Sequence, residues 1–149
     1  MEIWDTFLYS GENKLLKLRL ELLNPLINHF VIVESNYTFS GSPRFLSDPK
    51  FRKDLQDSYP GKIIWIILEE SMPSSTAWQR ESWQRSQINS GMGLAKKGDI
   101  VMLSDLDEIP SPDFIHHIKG LRNNEVRVAQ MDLYFTNLIS NLRELGLVL

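Results

Sequence analysis

The chain has 149 residues, 42% hydrophobic and 23% charged, with a formal net charge of −3 and no cysteine. That length supports one domain with its own core, and the proportions exclude a disordered or fibrous chain. The negative balance argues against a nucleic-acid partner held through phosphates, and without cysteine neither a disulfide framework nor a thiolate metal site can form. No apolar run approaches the ~20 residues of a membrane span and no signal-peptide pattern opens the chain, so the expectation is a soluble, cytoplasmic protein without a transmembrane segment.

Glu2 to Leu8 predicts a first strand, and Ser10-Gly11 a turn after it and a candidate N-cap for the next helix. From Glu12 to Leu23, six leucines (15, 16, 18, 20, 22 and 23) make a broad helical face, and Lys14, Lys17, Arg19 and Glu21 fill the remainder. Asn24-Pro25 closes that helix, because proline pushes its predecessor out of the helical region. His29 to Glu34 predicts a second buried strand ending in an acid. Residues 35 to 50 read as a long loop, of a length that is usually functional or mobile.

Phe51 to Ser58 predicts a short polar helix, and Lys62 to Leu68 a third strand, apolar on both faces. Thr76 with Gln79 fits a capping box, opening a helix that carries Trp78, Arg80, Glu81, Trp83, Gln84, Arg85 and Asn89. Gly91 and Gly93 weaken its far end. Ile100 to Ser104, between Gly98 and Pro110, reads as a buried central strand of a parallel sheet. Ser111-Pro112-Asp113 starts a helix that Asn123-Asn124 closes. A last strand is expected over Glu125 to Phe135 and a short helix in Asn137 to Leu149.

Strands alternating with helices predict an α/β fold, a Rossmann-like and mostly parallel sheet covered on both faces. No glycine-rich phosphate loop follows the first strand, which removes the common dinucleotide and P-loop readings. A metal-dependent nucleotidyltransferase is disfavoured too, since Tyr9 to Asn13 makes a poor phosphate loop. Asp105, Asp107 and Glu108 follow the strand at Ile100 to Ser104, at the crevice edge where open α/β sheets bind ligands. In extended backbone Asp105 and Asp107 project to one face, a hard oxygen site suited to Mn²⁺ or Mg²⁺. Asp-x-Asp alone reads more readily as a strand end with turn acids. Arg85 could clamp a phosphate, or simply pair with Glu81 one helical turn away. Glu34 could accept from a base or ribose, or be a solvated strand end.

Five segments in order resemble glycosyltransferase family 17. They are Asp5-Thr6-Phe7 with Leu18-Arg19-Leu20; Phe30 to Asn36 with Thr38 to Gly41; Trp78, Glu81 and Arg85; Ser104 to Pro110; and Tyr134-Phe135 with Asn137. The resemblance implies a GT-A-type fold over residues 1–137, a divergent tail over 138–149, and transfer of a sugar with inversion from a UDP-sugar donor to a glycan or glycoconjugate acceptor. That sugar is GlcNAc in known members. By the same resemblance Asp105 and Asp107 would hold Mn²⁺ or Mg²⁺ against the diphosphate, Thr6, Phe7 and Glu34 would line the nucleotide pocket, and Arg85 and Asp105 would contact the donor. No general base is assigned. Eukaryotic members carry an anchor and stem, and GT-A enzymes run on past this point. The expectation is a short microbial or viral homologue, and the alternative to a transferase is a truncated, non-catalytic nucleotide-sugar-binding module.

Overall fold

Ile-Trp-Asp-Thr-Phe-Leu-Tyr and His-Phe-Val-Ile-Val-Glu-Ser are rich in the aromatic and β-branched residues that suit a pleated, packed surface. They form β1 (Ile3–Tyr9) and β2 (His29–Ser35) in a computed structural model that describes residues 1–69, 76–121 and 125–129. α1 (Asn13–Leu23) connects them, and α2 (Pro49–Ser58) leads to β3 (Ile63–Leu68). α3 (Ala77–Ser86) and the short α4 (Ile88–Gly91) precede β4 (Ile100–Leu103), and α5 (Pro112–Ile118) follows. The strands lie in the order β3-β2-β1-β4 and every pairing is parallel, which is the expected Rossmann-like α/β sheet.

The two-residue period of the strands sorts their side chains into two cores. Ile3, Phe7, Phe30 and Ile32 pack with Leu16, Leu20 and Leu23 of α1, Leu55 of α2, and Ile115 and Ile118 of α5. Trp4, Leu8, Val31 and Val33 face Ile88 of α4 and the half-buried Trp83 of α3. Each large apolar side chain fully buried this way contributes roughly 1.5–3 kcal/mol. The helix-start signals at Thr76 and Ser111 hold, whereas α1 has Glu12, not Ser10-Gly11, at its cap position and no side-chain cap hydrogen bond. Thr76 and Gln79 form the reciprocal capping box, and Ser111 accepts from the Phe114 amide with Pro112 at the first position.

Three expectations change. The strand after Gly98 ends at Leu103 and, among the described residues, pairs only with β1 at the edge of the sheet; Val101 and Leu103 are 50% and 59% exposed. Its apolar run reflects composition, whereas its place in the sheet comes from non-local pairing, and β1 and β2 are the strands buried on both faces. The helix expected after Thr76 breaks at Gln87 into α3 and α4. Residues 125–129 form no strand, and the remainder of the strand expected there, with the segment 137 to 149, lies outside the described residues.

Gly91 does more than weaken a helix end. A Cβ there would stand 2.5 Å from Val31 Cγ1 and 3.0 Å from Ile66 Cδ1, so the missing side chain lets α4 settle onto β2 and β3. The chain runs outward from β1 through β2 to β3, then returns past β1 to add β4. The connections therefore reverse between β1 and β4, and at such a switch point an open α/β sheet has its crevice, beyond the carboxyl ends of the strands.

Candidate functional site

The crevice is built around a side chain expected on the polar face of α1. Arg19 follows the leucine stripe inward and is fully buried. Its Nε donates to Asp5 Oδ2 at 2.9 Å and its Nη2 to Asp5 Oδ1 at 2.7 Å, a two-pronged pair with an equally buried carboxylate on β1. Nη2 also donates to Ser104 Oγ at 2.6 Å. Nη1 donates to the carbonyls of Asp105, Leu106 and Glu108 at 2.7, 3.0 and 3.1 Å. The guanidinium lies over the Phe7 ring, 4.5 Å from its centroid, where the π face favours a cation.

Beyond β4 the backbone makes a turn from Asp105 to Glu108. The Glu108 amide donates to the Asp105 carbonyl at 3.1 Å, and Glu108 Oε2 accepts from the Asp105 amide at 2.9 Å. Glu108 thus closes the turn. Leu106 is buried in the core, while Asp105, Asp107 and Glu108 are exposed. The extended-backbone argument for Asp105 and Asp107 does not apply, because the strand has already ended. The acids face outward while Arg19 holds the carbonyls of Asp105, Leu106 and Glu108 inward and Leu106 is buried.

A cavity of about 330 Å³ opens at this switch point, with Glu12, Glu81, Arg85, Asp105 and Asp107 on its wall beside Leu8 and Phe39. Arg85 Nη2 donates to Asp105 Oδ1 at 2.5 Å, and both Nη2 and Nε donate to Glu81 Oε1, at 2.9 and 3.1 Å. Burial pulls the Arg85 pKa down, but the hydrogen bonds it donates to Asp105 and Glu81 outweigh that and hold it above the ordinary arginine value. No described side chain pairs with Asp107. A second cavity, about 180 Å³, lies against the exposed side of β4 at Val101, Leu103 and Val126. It touches Glu108 but neither Asp105 nor Asp107, so both candidate acids belong to the first.

Among the described residues no group of three or more His, Asp or Glu gathers into a metal cage. The donor set at the turn is two carboxylates, with no imidazole or thiolate. That set suits a hard divalent cation with few protein ligands, the habit of Mg²⁺ and Mn²⁺ when substrate phosphates complete the shell.

Of the other residues singled out from the sequence, none lines this cavity. Thr6 is buried and its hydroxyl donates to the Met102 carbonyl at 2.7 Å, stitching β1 to β4. Phe7 lies in the core beneath Arg19. Glu34 is not a solvated strand end: it is fully buried and accepts from the Ser47 amide at 2.6 Å, Ser47 Oγ at 2.7 Å and Trp65 Nε1 at 3.1 Å. Arg44 and Arg52 reach it at 3.4 and 3.8 Å. Trp78 is 80% exposed. Motif and spacing give Asp5 and Arg19 no role. A lone base on a leucine face and a lone acid inside an apolar strand are the trace they leave in the sequence.

The parallel sheet, with a carboxylate turn and an arginine at its switch point, defines a Rossmann-like α/β protein, a class in which ligands bind beyond the carboxyl ends of the strands. The chain belongs to glycosyltransferase family 17, whose model matches residues 1–140. It is 28% identical over 120 residues to the β-1,4-mannosyl-glycoprotein 4-β-N-acetylglucosaminyltransferases of Homo sapiens and Rattus norvegicus, and 27% to that of Mus musculus. These matches cover 74% of this chain and 22% of each relative, so the chain corresponds to about a fifth of their length. No solved structure matches significantly. Among the described residues, no helix is long and apolar enough to cross a membrane.

Proposed function

We propose that this chain is a metal-dependent N-acetylglucosaminyltransferase, moving GlcNAc from a UDP-sugar to a hydroxyl of a glycan or glycoconjugate acceptor with inversion. The observation that carries the reading is the convergence of Asp105, Asp107 and Arg85 on one cavity at the switch point, in a member of family 17. In this reading Asp107, exposed and without a side-chain partner among the described residues, and Asp105 hold Mn²⁺ or Mg²⁺. The cation supplies neutralisation of the charge that develops on the departing diphosphate. Arg85, steadied by Glu81, presents a planar guanidinium suited to two phosphate oxygens. Thr6, Phe7 and Glu34 support the walls of the donor pocket from within. Inversion follows if the acceptor hydroxyl attacks the anomeric carbon from the face opposite the diphosphate in a single displacement.

A second reading, a nucleotide-sugar-binding module without transfer, draws support from the fifth of the relatives' length that the match spans. Calorimetry with UDP, with and without Mn²⁺, followed by donor-hydrolysis and transfer assays on the same sample, separates the two. Asp107→Ala is expected to weaken Mn²⁺-dependent UDP binding at least about tenfold, or about 1.4 kcal/mol. Binding that ignores both Mn²⁺ and this substitution sinks either reading. Binding without turnover selects the second.

A further inference from the structure

We propose that Arg19 is the positioning residue of the carboxylate turn. By drawing the turn's carbonyls inward, it aims Asp105 and Asp107 at the cavity and withholds those carbonyls from any cation bound there. The inference rests on the reading of the turn as a cation–diphosphate site.

A guanidinium carries five N–H donors in a rigid fork. Arg19 commits one from each of Nε and Nη2 to Asp5, a second from Nη2 to Ser104, and both of Nη1 to the three carbonyls of Asp105, Leu106 and Glu108. None is left over. Asp5 neutralises the charge and fixes the plane of the fork; the Nη1 edge is then aimed past β1 at the turn. The ion pair by itself would be complete without Nη1, so the contacts to the turn are a separate role.

Consequences for the site follow from which groups the fork consumes. With the carbonyls of Asp105, Leu106 and Glu108 taken by Arg19 and Leu106 turned inward, the turn is left with its side-chain carboxylates and the Asp107 carbonyl to show the cavity. Ca²⁺ takes six to eight oxygens and commonly recruits backbone carbonyls, whereas Mg²⁺ and Mn²⁺ accept one or two carboxylates and keep water or phosphate in the other positions. An arginine that occupies three carbonyls therefore makes the turn a poor Ca²⁺ site and leaves it adequate for the smaller ions. It does so without touching the ion.

The test uses the full chain with Mn²⁺ alone as probe, read by electron paramagnetic resonance, with Ca²⁺ as competitor and amide hydrogen exchange alongside. Arg19→Lys keeps the charge beside Asp5 but loses the fork. The double variant Asp5→Asn/Arg19→Gln replaces the pair with neutral groups, which a buried site tolerates better than a single broken partner. For either variant with native circular dichroism and melting temperature, Mn²⁺ affinity should fall at least about tenfold, in the range of outer-sphere substitutions at metal sites. Ca²⁺ should compete better than in the parent, and amides 105 to 108 should exchange faster while those of β1 and β2 stay protected.

A folded variant that keeps parental Mn²⁺ affinity overturns the proposal when the parent binds Mn²⁺. If the parent binds no Mn²⁺, the functional reading fails by itself; the exchange arm then decides the positioning role, and unchanged exchange at 105 to 108 overturns it. Should both variants fail to fold, Ser104→Ala removes one contact of the fork without stranding a charge. It should show the same changes at smaller amplitude, and none at all would overturn the proposal.

Discussion

Two buried carboxylates, Asp5 and Glu34, lie on the α1 side of neighbouring strands, and arginine meets both. In one centre the base is the hub: Asp5 binds a single arginine, which spends its remaining donors on a serine and three carbonyls. In the other the acid is the hub: Glu34 collects Ser47, Trp65, Arg44 and Arg52. The partner with spare hydrogen-bonding capacity determines what is fastened. A guanidinium fastens carbonyls, so it can hold a turn whose side chains stay in water. A carboxylate fastens N–H and O–H groups, so it pulls a loop down over itself. The same pair of charges makes an exposed site at the end of β4 and a sealed seam at the end of β2.

The contrast can be broken most sharply at Asp5. Asp5→Ala strands the Arg19 charge in the core, and breaking a buried pair costs about 3–5 kcal/mol, so urea unfolding should show a loss of that size. A loss under about 1 kcal/mol would mean that the turn carbonyls alone satisfy Arg19, a value nearer that of a surface pair. At the second centre, Glu34→Gln keeps the shape but loses the charge and half the acceptor capacity. The expected cost is about 1–3 kcal/mol, for donors left short of a partner. Limited proteolysis should then cut within residues 36 to 48 at lower protease concentration than in the parent; unchanged cutting would show that Arg44, through the carbonyls of Ser35 and Tyr9, holds the loop by itself.

The smallest effect is a pH dependence at Tyr9, whose hydroxyl pairs with Asn13 Oδ1. Burial first, and then the charges of Glu34 and Glu12, push the Tyr9 pKa up to about 12 from 10.0. Below the unfolded value both states keep the proton and the contribution is whole. Between the two values the unfolded chain releases the proton while the folded one keeps it, so stability is lost as the pH rises through that window. Thermal melts across the alkaline range should show this loss, reduced in Glu34→Gln because one source of the shift is gone. An identical alkaline loss in parent and Glu34→Gln would disconnect Tyr9 from the second centre.

Much of the candidate site is legible in the order of residues. Asp105 and Asp107 after an apolar strand, with Arg85 on the preceding helix, mark a switch-point crevice once the parallel sheet is assumed. What the residues do not reveal is how those acids come to face outward. Arg19 and Asp105 are 86 positions apart, and nothing local distinguishes an arginine that lies along α1's surface from one that turns inward. Glu34 is similar, since an acid at a strand end is usually solvated and only the fold of residues 36 to 48 buries it.

The amino-acid sequence by itself determined the element types from β1 to β3, the parallel sheet and the helix starts at Thr76 and Ser111. These depend on periodicity and on contacts within a few residues, which a chain carries wherever it folds. Tertiary structure alone decided that β4 lies beside β1 at the edge of the described sheet, that Gly91 clears the way for α4, and that Arg19 belongs to the core. Each of those depends on pairing between distant segments, where burial decides which charges find partners and which remain in water.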